Sequence, residues 1–208
     1  MHTMLRDTFI ALTERYDADT VLAAELWQEI ETAYTHRKRH YHTLDHLDNL
    51  MQQLTAVKEQ IGEWDTLLFS IYYHDVVYNV LKHDNEEESA VLAEQRMRQL
   101  DVPEAQVTRC KEQILATKSH VAGANNDTNL FTDADLSVLG HEWERYAEYC
   151  YNVRREYSIY PDIMYKPGRK KVLKHFLGME RIYKTPHFYD LYEARARENM
   201  ARELEGLL

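Results

Sequence analysis

The stretch DTLLFSIYYHDVVYNV, residues 65–80, is apolar on nearly every face. A helix of that kind has no side to give to water, so the rest of the chain must wrap around it. The sequence supplies helices for the purpose. With six glycines, four prolines and almost no alternating β-branched runs, little in it favours strands. Leu5, Phe9, Leu12 and Tyr16 recur at spacings of three and four, and Leu22, Leu26, Trp27 and Ile30 mark a second helix over about Thr20 to Tyr34. A third stripe of Leu44, Leu47, Met51, Leu54 and Ile61 starts near Thr43. The acids of DNEEESA (84–90) suit the first turn of a helix through its dipole, with Leu92, Met97 and Leu100 inward. Pro103 begins the next, which runs through Val107, Cys110 and Ile114 toward His120. VAGANNDTN (121–129) reads as a loop. A short helix over DADLSVLG (133–140), a tyrosine-rich helix from about His141 to Tyr157, a break at KPGR (166–169) and two helices separated by Pro186 complete the chain. The expected fold is all-α: a single helical domain over residues 1–208, its central buried helix carrying His74 and Asp75.

Composition narrows the function. A net charge of −10 supplies no broad basic surface for a nucleic-acid duplex. A small anionic substrate stays open if a metal or a local arginine offsets that charge. The two cysteines, Cys110 and Cys150, lie in apolar-periodic stretches and read as reduced core thiols. The opening MHTMLRDTFIALTERY has no continuous apolar segment, and no run is long enough to span a bilayer, so the expectation is a soluble, cytoplasmic protein with no membrane partner.

Three short words carry polar chemistry. HTLDH places His42 at the mouth of the third helix and His46 one turn further in, on one face. Taken alone, HRKRHYH (36–42) also fits a solvated basic turn. In YYHDVVY (72–78), His74 shares a face with Leu67 and Ile71, and Asp75 follows in the same apolar surroundings. An ionised carboxylate buried alone costs several kcal/mol or more, so Asp75 must be paired, neutralised or metal-bound. A His–Asp hydrogen-bond network among helices satisfies that requirement as well as a ligand role does. In TDADLSVLG (132–140), Thr132 and Asp135 fit a capping box, and Asp133 could serve the helix dipole. By itself that word says only that a helix begins.

Taken in order, these words resemble the signature of the HD superfamily of metal-dependent phosphohydrolases. YHTLDH (41–46) is similar to the family's Y-H-N-x-x-H, and DADLSVL (133–139) to its third motif, in which an aspartate precedes Leu-Ser. RHYHTLDHL, YYHDVVYN, DNEEESA, TKSH (117–120), DADLSVLG and PGRKKVLKHFL (167–177) together resemble the small stand-alone bacterial HD proteins, over about residues 30–205. The resemblance implies an HD-type bundle with core motifs over about 30–140, completed by C-terminal helices over about 141–208. It implies that His46, His74, Asp75 and Asp135 ligate one or two divalent ions. Two imidazoles and two carboxylates suit Mn²⁺, Fe²⁺, Co²⁺, Ni²⁺ or Zn²⁺ better than Mg²⁺. His42 matches the histidine that protonates the leaving group, and with Asp75 forms the expected catalytic pair; Thr43 stands where the family has Asn. His120 corresponds to a histidine used for a second metal or for phosphate, though it equally suits a helix C-terminus.

Glu87 and Glu88 are candidates to support a ligand or a water at the metal, or are ordinary first-turn acids. Arg39, Lys118 and Arg169 are candidate phosphate contacts, because guanidinium and ammonium groups match phosphate oxygens. The tyrosines of YAEYCYNVRREYSIY (146–160) fit helix packing, with one or two lining a pocket. The expected activity is hydrolysis of a phosphate ester or anhydride in a small phosphorylated metabolite such as a nucleotide, by metal-activated water. A di-iron oxygenase and a non-catalytic nucleotide or metal sensor are the alternatives. A homodimer is a possible assembly.

Overall fold

The protein is described from a computed structural model, over residues 3–16 and 18–207. The regular elements are α1 (Thr3–Glu14), α2 (Thr20–Tyr34), α3 (Leu44–Ala56), α4 (Trp64–Tyr73), α5 (Asn85–Gln99), α6 (Glu104–Ala116), α7 (Asn126–Asp135), α8 (Trp143–Glu156), α9 (Asp162–Gly178) and α10 (Pro186–Leu207). Short 3₁₀ turns occupy Lys58–Gln60 and Ser137–Gly140. No strand occurs among the described residues, so the all-α expectation holds for them. No helix is long and apolar enough to cross a membrane. Packing groups the chain into two units, one up to Thr132 and one from Asp133 onward.

In the first unit α4 lies against α1, α3, α5 and α6, and every residue from Thr66 to Tyr73 is buried. Phe9, Trp27, Tyr72 and Tyr73 pack in tilted and edge-to-face pairs where α1, α2 and α4 meet. The Tyr72 hydroxyl, buried with them, donates to the Leu5 carbonyl at 2.8 Å. The N-terminal end of α4 is satisfied from α7: the Asp127 carboxylate accepts from the Gly62 and Glu63 amides at 2.8–3.1 Å. Two donors that helix geometry would leave without partners are thereby met by a negative charge on the favourable end of the dipole.

The helix does not run on to Val80 as its sequence suggests. It stops at Tyr73, His74 caps it, and Asp75 follows in a turn. The reason is local competition: side chains from α2, from α5 and from the link before α3 bind the amides and carbonyls of Asp75, Val76 and Val77, so these groups do not continue a helical ladder.

Two further boundaries differ from the sequence expectation. Of the segment read as a loop, residues 121–125 are irregular as expected, but 126–129 already belong to α7, capped by Asn125, whose Oδ1 accepts from the Thr128 amide at 2.9 Å. Thr132 therefore lies within the helix, its hydroxyl donating to the Thr128 carbonyl, and the expected capping box does not form. At KPGR the chain does not break: α9 passes through Pro167. Pro167 and Ile163, whose carbonyl loses its helical partner, are both exposed, which lowers the cost of the missing bond. Pro186, by contrast, opens α10 at the one position where a missing N–H costs nothing.

In the second unit α10 packs on α9 and on the 3₁₀ turn at Ser137–Gly140. Gly140 makes that approach feasible, because a Cβ there would sit 2.4 Å from Tyr192 Cβ. Asn199 donates to the Leu139 and His141 carbonyls at 2.8 and 2.9 Å. Both cysteines carry free thiols, and burial pushes each up to about 12. Neither is a ready nucleophile.

Asp133, fully buried, accepts from the Lys184 and Thr185 amides and the Thr185 hydroxyl, and pairs with the Lys184 ammonium at 2.9 Å. It fastens the segment that leads into α10 and is no helix-dipole residue of α7. Replacing it with alanine strands a buried ammonium and two amides. Asp133→Ala is expected to lower unfolding free energy by about 3–5 kcal/mol in urea titrations, whereas a surface control such as Glu144→Ala stays within about 0.5 kcal/mol.

Candidate metal centre

The site is built in the first unit, where the start of α3 meets the end of α4. Thr43 precedes α3 and His46 follows in its first turn, buried together with Leu44, Leu47 and Leu50. His42 stands just before the helix, half-buried, its ring 5.8 Å from that of His46. His74 caps α4, buried, with its ring edge-on to Phe131 at 5.7 Å.

The tautomer of His74 follows from its surroundings. Its Nδ1 lies 2.9 Å from the Ile71 carbonyl, which can only accept, so Nδ1 carries the proton. In the neutral ring Nε2 then presents a lone pair. That lone pair faces Asp75 Oδ2 at 3.1 Å and His46 Nε2 at 3.1 Å. His46 Nε2 and His42 Nε2 each lie 3.9 Å from the same Asp75 oxygen. Electron-pair donors at such separations repel one another unless something positive stands among them. A proton on His46 Nε2 can serve the His46–His74 pair, whereas a metal ion would take lone pairs from both nitrogens and the Asp75 oxygen. His46, His74 and Asp75 offer ligand atoms within 4.8 Å of one another, and the group could hold a metal ion.

Arg39 is buried beside this group. Its Nη1 donates to the Asp75 carbonyl at 2.7 Å and the His42 carbonyl at 3.2 Å, and its Nη2 to the Val76 carbonyl at 2.8 Å. Its guanidinium lies over the Tyr34 ring at 4.8 Å and the Tyr78 ring at 5.4 Å. On its other contact Tyr78 stacks against His42, with centroids 4.3 Å apart. Tyr34 and Ser89 complete the turn: the Tyr34 hydroxyl accepts from the Asp75 amide at 3.2 Å, and the Ser89 hydroxyl accepts from the Val77 amide at 3.1 Å. Sequence reasoning missed Tyr34, Tyr78 and Ser89. Tyr34 and Ser89 occupy buried helix positions that read as packing, and only the place of Tyr78 inside YYHDVVY hinted at the site.

The other expected site residues are distributed over several elements and links. Asp135 ends α7, half-buried, in the second unit, whereas the triad is formed wholly within the first. His120 follows α6 in a left-handed conformation, φ 53°, its amide donating to the Ala116 carbonyl, and is not part of the triad. Glu87 and Glu88 are exposed in the first turn of α5. Glu87 accepts from Lys118, and that bond holds its carboxyl below the usual range. The three cations expected at phosphate each have protein acceptors. Lys118 also donates to the His83 carbonyl. Arg169, buried in the second unit, donates to both Glu203 oxygens at 2.8 and 2.9 Å and to the Tyr149 hydroxyl.

A ligand that binds only the folded state raises stability by about 2.7 kcal/mol at a hundred times its dissociation constant. For a chain of this size that is a rise of roughly 5–10 °C in melting temperature. Mn²⁺ or Co²⁺ is expected to stabilise wild type to that extent, and His74→Ala or Asp75→Ala to abolish the shift in differential scanning fluorimetry.

In comparison with known proteins, no protein-family model matches the chain, and no curated protein or solved structure matches it.

Proposed function

We propose that the protein is a metal-dependent hydrolase of phosphate ester or anhydride bonds in a small phosphorylated metabolite, with nucleotides as the first class of candidates. The single observation that carries the proposal is the convergence of His46, His74 and Asp75, with the His74 lone pair turned toward the Asp75 carboxylate. The order and wording of the motifs, which resemble those of HD phosphohydrolases, support the same reading. Two nitrogens and a carboxylate oxygen favour Mn²⁺, Fe²⁺, Co²⁺, Ni²⁺ or Zn²⁺ over Mg²⁺. Such an ion, when bound, draws charge from phosphoryl oxygens and lowers the pKa of water toward ~7.

The chain's own residues divide the remaining tasks. His46 and His74 are buried, so they supply fixed nitrogens from the closed side of the site, while Asp75 and His42 stay partly open to an incoming substrate. His42 holds the proton destined for the leaving oxygen at its ring nitrogen. Tyr78 on its face and Tyr41 edge-on, at 4.3 and 4.9 Å, restrict the ring to one orientation. Thr43, where HD enzymes carry Asn, leaves that orientation to the two tyrosines.

The test is a panel of phosphomonoesters, phosphodiesters and nucleotides offered to metal-loaded wild type, Asp75→Ala and His42→Ala. Wild type is expected to turn over at least one class. Asp75→Ala should lose both turnover and metal, and His42→Ala about 10²–10⁴-fold in kcat with metal affinity retained. Turnover that Asp75→Ala retains in full, or none by loaded wild type, sinks the hydrolase reading.

A further inference from the structure

We infer that Arg39 is the positioning residue of the metal centre, fixing both the Asp75 turn and the His42 segment, and that it does not contact the substrate phosphate. This rests on the metal-centre reading above. Arg39 lies in the link between α2 and α3, outside either helix, yet only 8% of it is exposed. Among the contacts described for it there is no carboxylate; its charge meets three backbone carbonyls and the faces of two tyrosines. Burying a guanidinium in that way costs several kcal/mol in lost hydration, so its place calls for an interaction that no apolar side chain could supply.

What it supplies is a link between pieces of chain distant in sequence. The Asp75 and Val76 carbonyls point away from any helical partner once α4 has ended, and the guanidinium takes both. The same group takes the His42 carbonyl, so the backbone that carries the expected proton donor and the backbone that carries the expected ligand converge on one planar cation. A column of rings repeats the connection. Tyr34, the Arg39 guanidinium, Tyr78 and His42 follow one another at 4.8, 5.4 and 4.3 Å. Tyr34 closes the circuit by accepting from the Asp75 amide.

Lysine could reach one of those carbonyls but not all of them, and has no plane to lie between rings. Three of the five guanidinium N–H donors are spent on holding the Asp75 and His42 segments, and burial leaves little of the group open to a phosphate. Arg39 therefore acts on the metal through Asp75, and its loss should appear in metal affinity before it appears in substrate affinity.

The experiment is Mn²⁺ titration followed by electron paramagnetic resonance on wild type, Arg39→Met, Arg39→Lys and Asp75→Asn, with far-UV circular dichroism as the check on folding. Both Arg39 variants are expected to bind Mn²⁺ about 10–100-fold more weakly than wild type with the helical signal retained. Should Arg39→Met lose that signal, Arg39→Lys, which keeps the charge and the stem, carries the comparison. For any phosphate ester that wild type hydrolyses, the expected KM of Arg39→Lys at saturating metal equals that of wild type. Unchanged Mn²⁺ affinity in the folded Arg39 variants, with a weaker Asp75→Asn, overturns the role given to Arg39 and leaves the metal centre standing. So does a raised KM at saturating metal, which would mark a direct phosphate contact. Mn²⁺ affinity that Asp75→Asn leaves unchanged sinks the metal centre itself, and this inference with it.

Discussion

Two imidazole nitrogens and a carboxylate oxygen face one another at 3.1–3.9 Å, at the end of a helix buried from Thr66 to Tyr73. Nothing in the hydrophobic effect would bring such groups together. The group could hold a metal ion, and the fold keeps its members together. The Ile71 carbonyl fixes the tautomer of His74, Phe131 walls its edge, and the apolar stripe of α3 anchors His46. The polar site is thus the interior end of the hydrophobic core.

Holding the third donor demanded more. Asp75 sits beyond the last turn of α4, where helix hydrogen bonds no longer define the backbone. Tyr34, Arg39 and Ser89 take over, each offering a side chain to an amide or carbonyl of residues 75–77. At the opposite end of α4 Asp127 plays the corresponding part, binding the amides of Gly62 and Glu63. The central helix is therefore fixed at both ends by polar side chains from its neighbours, and its length is set by those bonds more than by the apolar run from which it is made. In the second unit, Asp133 and Arg169 follow the same rule: each is a buried charge fully engaged by an opposite charge and by hydrogen-bond partners.

Much of this was legible from residue spacing. The stripes of α1 and α3 and the all-round apolarity of α4 came through because burial of a helix face is periodic, and Leu5, Phe9, Leu12, Leu47, Met51 and Leu54 are buried where that period puts them. Helix ends were not legible in the same way. The continuation of α4 through His74 looked favourable because its competitors, Arg39 and Ser89, lie 36 and 12 residues away. Asn125 and Asn126 read as loop composition, yet Asn125 caps a helix, since the same side-chain chemistry serves both. In the candidate site, His46, His74 and Asp75 could be singled out because polar groups are conspicuous on an apolar stripe. The partners of the cations were hidden for the converse reason. Arg39 and Arg169 look in sequence like any surface arginine, and only packing reveals that protein carbonyls and Glu203 take their donors.

The central claim is that a divalent cation is held by imidazole nitrogen from His46 and His74 together with Asp75 oxygen. X-ray absorption spectroscopy of protein loaded with one equivalent of Co²⁺ or Zn²⁺ tests it most directly, because carbon atoms of coordinated imidazole produce an outer-shell signature that oxygen ligands lack. The expected result is about two imidazoles per metal at roughly 2.0–2.1 Å for Zn²⁺, with one lost in His46→Ala and one in His74→Ala. A first shell of oxygen alone, unchanged by either substitution, would contradict it.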